Sequence, residues 1–142
     1  MIYIEKTLEN QIRRASAEAY PNECCGVLLG EIDGEGIKRL HSIEPVINFS
    51  DENEQYHRFL ITPEDLLKSE LKARSLKLDV LGFYHSHPDS AAKPSDYDKE
   101  HALPFYSYII TAVNNGVSGD FTCWEMSENR ENFNSEKIIQ EE

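Results

Sequence analysis

The chain has 142 residues, which fits one domain over 1–142, and folding should bury roughly two-thirds of its unfolded surface, so a core forms without staples. Its 26 acidic against 14 basic residues give a net charge of −12, which repels phosphate backbones and anionic membranes and argues against nucleic acid or membrane as partner. Three cysteines, two of them adjacent at Cys24 and Cys25, make no disulfide framework and point to a reducing compartment. The start shows no signal-peptide pattern and no apolar run approaches a membrane span, so the expected location is the cytoplasm.

In chain order, residues 5–20 place Leu8, Ile12, Ala15 and Ala19 at helical spacing, which predicts an amphipathic helix ended by Pro21-Asn22. Cys25-Gly26-Val27-Leu28-Leu29-Gly30 is small and apolar on both faces, the composition of a buried central strand. The turn Asp33-Gly34-Glu35-Gly36 leads to a second strand over 37–47, completing a hairpin. Residues 48–55 read as a polar loop and 56–61 as a short strand. Thr62-Pro63-Glu64 is a helix start, with Thr62 as cap and Pro63 at the first position. Leu66, Leu67, Leu71 and Leu76 mark the apolar stripe of that second helix. A strand over 80–87 follows, then a loop and short helix, then strands over 106–113 and 120–126 joined through Asn114-Asn115-Gly116. The acidic stretch 128–142 reads as a tail or as an edge strand around Ile138-Ile139. Strands with helices on both sides predict an α/β (α+β) fold, a mixed β-sheet flanked by helices, with no repeat or linker.

The densest chemistry lies in His85-Ser86-His87-Pro88, followed by Ser95 and Asp98. Alternate side chains of a strand share a face, so His85 and His87 point the same way, and Pro88 keeps His87 extended. A turn-forming stretch over 89–94 feeds Ser95 and Asp98, which share a face if a helix starts there. Two imidazoles and a carboxylate are the donor set of a catalytic zinc site, which keeps its fourth position for water. Each half has a plainer reading alone. Ser95-x-x-Asp98 is an ordinary helix start with Ser95 as N-cap, and a His-x-His pair on a strand is a weak signal. Together, at short range, they predict a Zn2+ site, and Ser95 can cap the helix and still face the metal.

Other groups carry less. The apolar context of Cys24 and Cys25 favours buried thiols over a nucleophile. His41 and His57 have no partner pattern. Asp89, Asp96 and Glu100 read as loop or helix-surface charges. His101, three residues after Asp98, is open as an extra ligand or supporting group but reads more simply as a surface histidine. Glu23 stands at a helix–strand junction, where a glutamate is ordinarily exposed and idle. The zinc deaminase signature needs a Pro-Cys-x-x-Cys segment that is absent here.

Pro21-Asn22-Glu23-Cys24-Cys25-Gly26-Val27-Leu28-Leu29-Gly30 and His85-Ser86-His87-Pro88…Ser95…Asp98 resemble the JAMM/MPN-plus (JAB domain) metalloproteases. That family places a Glu before a Cys-Gly strand, then His-x-His-Pro, then Ser-x-x-Asp starting eight residues after the second His. Ser95 and Asp98 stand eight and eleven residues after His87. The resemblance covers nearly the whole chain and implies a cytidine-deaminase-like JAB/MPN fold. It implies zinc on His85, His87 and Asp98, a general base at Glu23 and an oxyanion-stabilising hydroxyl at Ser95. No long insertion follows Asp98, so the chain looks like the small prokaryotic members.

The function this implies is a zinc-dependent peptidase or isopeptidase acting at the C-terminal Gly-Gly of a ubiquitin-like or sulfur-carrier protein. Two alternatives stay open. A non-catalytic MPN scaffold is one, although such members have generally lost metal-site residues and all five positions are present here. A RadC-like JAB protein is the other, against which stand the acidic balance and the Glu-Cys-Cys-Gly strand.

Overall fold

In the computed structural model, which describes residues 1–46 and 62–142, the chain runs β1 (Ile2–Glu5), α1 (Lys6–Ala19), β2 (Cys25–Ile32), β3 (Lys38–Val46), α2 (Pro63–Ser75), β4 (Asp79–Pro88), α3 (Asp96–His101), β5 (Ser107–Asn114), β6 (Val117–Met126), β7 (Phe133–Ser135) and β8 (Ile138–Glu141). The expected loop over 48–55, the short strand over 56–61 and His57 lie outside the described residues. Strands of both senses join in one mixed sheet ordered β7-β6-β5-β4-β2-β3-β1-β8, flanked by helices as the α+β reading expects.

Alternation along the strands divides the core in two. On β2, Leu28 faces α1 with Ile12, Leu40 and Ile109, while Val27 and Leu29 face the α2 side with Ala73, Tyr108 and Met126. β4 obeys the same rule with one interruption. Its register against β2 shifts between Leu28 and Leu29, so Leu81 joins the α1 core while Phe83 takes the α2 side. Gly82, beside this bulge, has a φ of 156°, and a Cβ there would lie 1.8 Å from the Ser107 carbonyl oxygen of β5. Only glycine allows that approach. The bulge lets Leu81 fill one core while Phe83 and His85 line the other side.

Three elements depart from expectation, the first being β7, a short strand on β6 within the stretch read as a tail or a single edge strand. β1 is absent from the sequence reading because four residues carry too little pattern; parallel pairing to both β3 and β8 creates it, and α1 therefore starts at Lys6. In α2 the cap is as expected, with Thr62 Oγ1 accepting from Asp65 N at 3.1 Å and Pro63 in the first turn. Its leucine stripe holds only at Leu66, which packs against the α2-side core: Leu67, Leu71 and Leu76 are 57%, 53% and 49% exposed, and the helix buries Ser69 and Ala73. Small side chains at i and i+4 let the helix settle close to the sheet.

The sheet edges β7 and β8 are separated in sequence only by Glu136 and Lys137. Three residue steps reach about 10 Å, so the sheet curls until its edges nearly meet. Glu136 fills the gap. Its Oε1 accepts from Ser107 Oγ at 2.5 Å and lies 3.6 Å from Lys38 Nζ, which donates to Ser107 Oγ at 2.5 Å and to Glu125 Oε2 at 3.0 Å. The Lys38 and Glu136 side chains are each 5% exposed. Burial pushes the Glu136 carboxyl up, but the Ser107 hydroxyl and the Lys38 ammonium outweigh it and hold it below the usual carboxylate range.

A depressed folded pKa gives stability that is present above the unfolded value, about 4.3, and lost as the pH falls below it. Glu136→Ala is expected to cost about 3 kcal/mol in urea unfolding at neutral pH, near the low end for breaking a buried ion pair because Lys38 keeps Glu125. Glu136→Gln should show a shallower loss of stability than the natural chain as the pH falls below about 4.3.

Candidate metal centre

His85 and His87 stand at the carboxyl end of β4, where the chain turns through α3 into the parallel strand β5. Ligand crevices of α/β sheets form outside such strand ends. α3 starts where it does because Ser95 caps it. Ser95 Oγ accepts from Asp98 N at 3.1 Å, and Asp98 Oδ2 accepts from Ser95 N at 2.8 Å, a reciprocal capping box. This aims the Asp98 carboxylate back over the helix start, towards the end of β4.

There three atoms converge. The Nε2 atoms of His85 and His87 are 3.1 Å apart, and Asp98 Oδ2 lies 3.2 Å from the first and 3.1 Å from the second. All three residues are buried. His87 Nδ1 is 2.8 Å from the Ala91 carbonyl, which can only accept, so Nδ1 carries a proton and a neutral His87 presents the lone pair of Nε2. Burial lowers the His85 pKa, favouring the neutral imidazole that a metal needs. For His87 burial is outweighed by the Asp98 carboxylate and the Ala91 carbonyl, and its pKa rises. For Asp98 burial is likewise outweighed, by His85, His87 and the Ser95 amide, and the carboxyl is held far below its usual range.

Two imidazole nitrogens and a carboxylate oxygen meeting at one point are a donor set that could hold a metal ion. Tetrahedral ligands 2.0–2.1 Å from zinc lie roughly 3.3 Å apart, and separations of 3.1–3.2 Å fit one such ion. Among the described residues, His85, His87 and Asp98 form the group whose donor atoms lie within 4.8 Å of one another. His101 is outside it: the ring stacks on Tyr97 at 4.1 Å and is exposed.

Glu23 lies between α1 and β2 and is 5% exposed, not the idle surface glutamate that its position alone suggests. Cys25 pairs with His85, and Ser86 N donates to Cys24 O at 3.2 Å. Glu23 precedes the Cys25–His85 pairing by two residues. Cys24 and Cys25 are thiols whose burial raises their pKa, to about 12 for Cys25, which removes them as nucleophiles at neutral pH. His41 is exposed beside Glu31 at 3.3 Å, and Asp96 and Glu100 are surface charges. Asp89, expected as one more loop charge, instead accepts from Tyr20 Oη at 2.6 Å and from Asn115 N at 2.8 Å.

Sequence reading also missed a cavity of about 280 Å³ beside His85 and Asp98, walled by Leu66, Phe83, Tyr97, Leu103 and Tyr108. Part of the signal was present. Phe83 stands two residues before His85 on the same strand face, and Tyr97 adjoins Asp98. The walls from α2 and β5 come together only in the fold.

A family model described as prokaryotic homologs of the JAB domain matches residues 5–127. Over 99 residues the chain is 36% identical to a desampylase of Haloferax volcanii, which covers 69% of this chain and 68% of that protein. Over 82 residues it is 32% identical to the deubiquitinase BRCC36 of Xenopus laevis, covering 54% of this chain but only 30% of that protein. The solution structure of protein DSY2949 from Desulfitobacterium hafniense superimposes with a TM-score of 0.85 at 26% identity, over 100% of this chain and 94% of that one. From residue 5 to residue 127, sequence and fold lead to one statement: the chain belongs to the prokaryotic JAB-domain family.

Proposed function

We propose that the chain is a zinc-dependent hydrolase that cuts the peptide or isopeptide bond beyond the C-terminal Gly-Gly of a ubiquitin-like or sulfur-carrier protein, in the cytoplasm. The convergence of His85 Nε2, His87 Nε2 and Asp98 Oδ2 at 3.1–3.2 Å carries this reading. Similarity to a desampylase and to a deubiquitinase supports the substrate class.

His85, His87 and Asp98 hold the zinc. Zinc in a three-ligand site lowers the pKa of water from 15.7 to about 7 and polarises a carbonyl. Glu23, buried two residues before the Cys25 that pairs with His85, accepts the proton of the attacking water and returns it to the leaving amine. Ser95 Oγ is already oriented by accepting from Asp98 N, and its own proton donates to the oxygen that turns negative in the tetrahedral intermediate. Glycines at the end of the carrier pass close to these groups without side-chain clash, and the apolar cavity beside His85 leaves room for a neighbouring part of the substrate.

Purified without chelator, the protein is expected to carry one zinc per chain by elemental analysis. His85→Ala, His87→Ala and Asp98→Ala should each abolish it. A natural chain that holds no transition metal and cannot be reloaded would sink the reading.

Glu23→Gln should retain metal and melting temperature but lose turnover, because an amide cannot relay a proton. Ser95→Ala should lose roughly 10²–10³ in rate, as for one oxyanion donor, with metal content measured on the same sample because Ser95 also caps α3. Natural-rate cleavage by Glu23→Gln would show the base to be wrongly assigned.

Only a short connection lies between α3, ending at His101, and β5, starting at Ser107. It offers little to grip a second ubiquitin-like unit. A carrier bearing one C-terminal amino acid or a short peptide is therefore expected to be cleaved faster than a ubiquitin-like dimer at equal enzyme. Preference for the dimer, or equal cleavage of unstructured peptides lacking a carrier, would overturn this substrate class.

A further inference from the structure

We propose that Asp89 is a positioning residue that, with Tyr20, locks the segment carrying Glu23 to the loop that aims His87. The inference rests on reading the site as a zinc hydrolase.

Two arms meet at the centre. One is the segment 20–24 between α1 and β2, which carries Glu23; the other is the loop that follows β4 at Pro88. An inner tether joins them, in which Cys24 N donates to Ser86 Oγ at 2.9 Å and Ser86 N to Cys24 O at 3.2 Å. That tether fixes the arms beside the strand, and Asn22 N donates to Ala19 O at 2.9 Å in the turn that follows α1. Asp89 supplies the outer tether by accepting from Tyr20 Oη at 2.6 Å through Oδ2.

Asp89 is itself anchored on the third side of the site. Its Oδ1 accepts from Asn115 N at 2.8 Å, in the β5–β6 turn, and its backbone N donates to Val113 O at 2.7 Å. Its φ of 53° lies in the left-handed region, which aspartate tolerates better than most side chains. With the backbone so held, Ala91 stands two residues on. The Ala91 carbonyl accepts from His87 Nδ1 and from Lys93 N, both at 2.8 Å. One carboxylate thus sets where Tyr20 ends, three residues before Glu23, and where the carbonyl that orients His87 lies. The tether is exposed, so it contributes little to global stability, whereas a displacement of about 1 Å at a reacting centre can cost 10²-fold in rate.

The test measures zinc affinity by chelator competition, melting temperature, and kcat and KM on one carrier substrate for Asp89→Ala, Asp89→Asn and Tyr20→Phe. Asp89→Ala is expected to bind zinc about 10–100-fold more weakly, as for loss of a group that orients a metal ligand. Both Asp89→Ala and Tyr20→Phe should lose about tenfold in kcat with KM and melting temperature nearly unchanged. Asp89→Asn should restore both values to within about twofold, because its amide oxygen accepts from Asn115 N and its NH₂ donates to Tyr20 Oη. Natural zinc affinity and kcat in Asp89→Ala overturn the proposal, and so does an Asp89→Asn as impaired as the alanine variant, since charge and not placement would then be the cause. If Asp89→Ala does not fold, Tyr20→Phe decides alone, and a natural kcat there overturns the proposal. His85→Ala is the control: if it cleaves the carrier as fast as the natural chain, the hydrolase reading fails, while the zinc competition still decides the role of Asp89.

Discussion

His85 Nε2, His87 Nε2 and Asp98 Oδ2 are held within 3.1–3.2 Å of one another in a buried place, a crowding of polar atoms that a cation between them would relieve. Much of the local structure serves to keep that unfavourable arrangement in register. Strand alternation on β4 supplies two of the atoms. The capping box of α3 supplies the third, and the Ala91 carbonyl turns one imidazole. β4 can bear the load because it is paired on both sides, antiparallel to β2 and parallel to β5.

The opposite end of the same strands shows the complementary solution. Ser107, at the start of β5, sits beside Lys38 and Glu136, and there the chain provides its own cation. Both clusters are buried carboxylates gathered by a curled sheet. One is neutralised from within and is a matter of stability. The other has no cation from the chain among its three groups and could take an ion from outside, which is what makes it a candidate for chemistry.

What the sequence disclosed follows from how local the determinants are. His85-Ser86-His87-Pro88 and Ser95-x-x-Asp98 could be read because strand alternation and a helix cap are decided within a few residues, and the cap turns out to be the device that aims a ligand. The Thr62–Pro63 start of α2 could be read for the same reason. The burial of Ser69 and Ala73 in place of Leu67, Leu71 and Leu76 could not, because the closeness of helix to sheet is set elsewhere in the fold. β1 exists only through β3 and β8. Glu23 was legible through family resemblance alone, since a glutamate between a helix and a strand is ordinarily exposed and its burial is decided by the fold. Asp89 was passed over because its partners are 69 and 26 residues away.

The curl that brings β7 and β8 within two residues of each other has a bearing on how the protein behaves in a crowded solution. An open sheet presents rows of unsatisfied amides and carbonyls that recruit strands from other molecules, the usual route to edge-to-edge aggregation. Here the terminal strands are three and four residues long. Arg39 pairs with Glu141 on the β8 side, adding charge where a stray strand would dock. The same nine-residue stretch, Phe133–Glu141, that seals the curl therefore acts as a guard on both flanks, so that the described strands, rich in apolar residues, offer other chains little to extend.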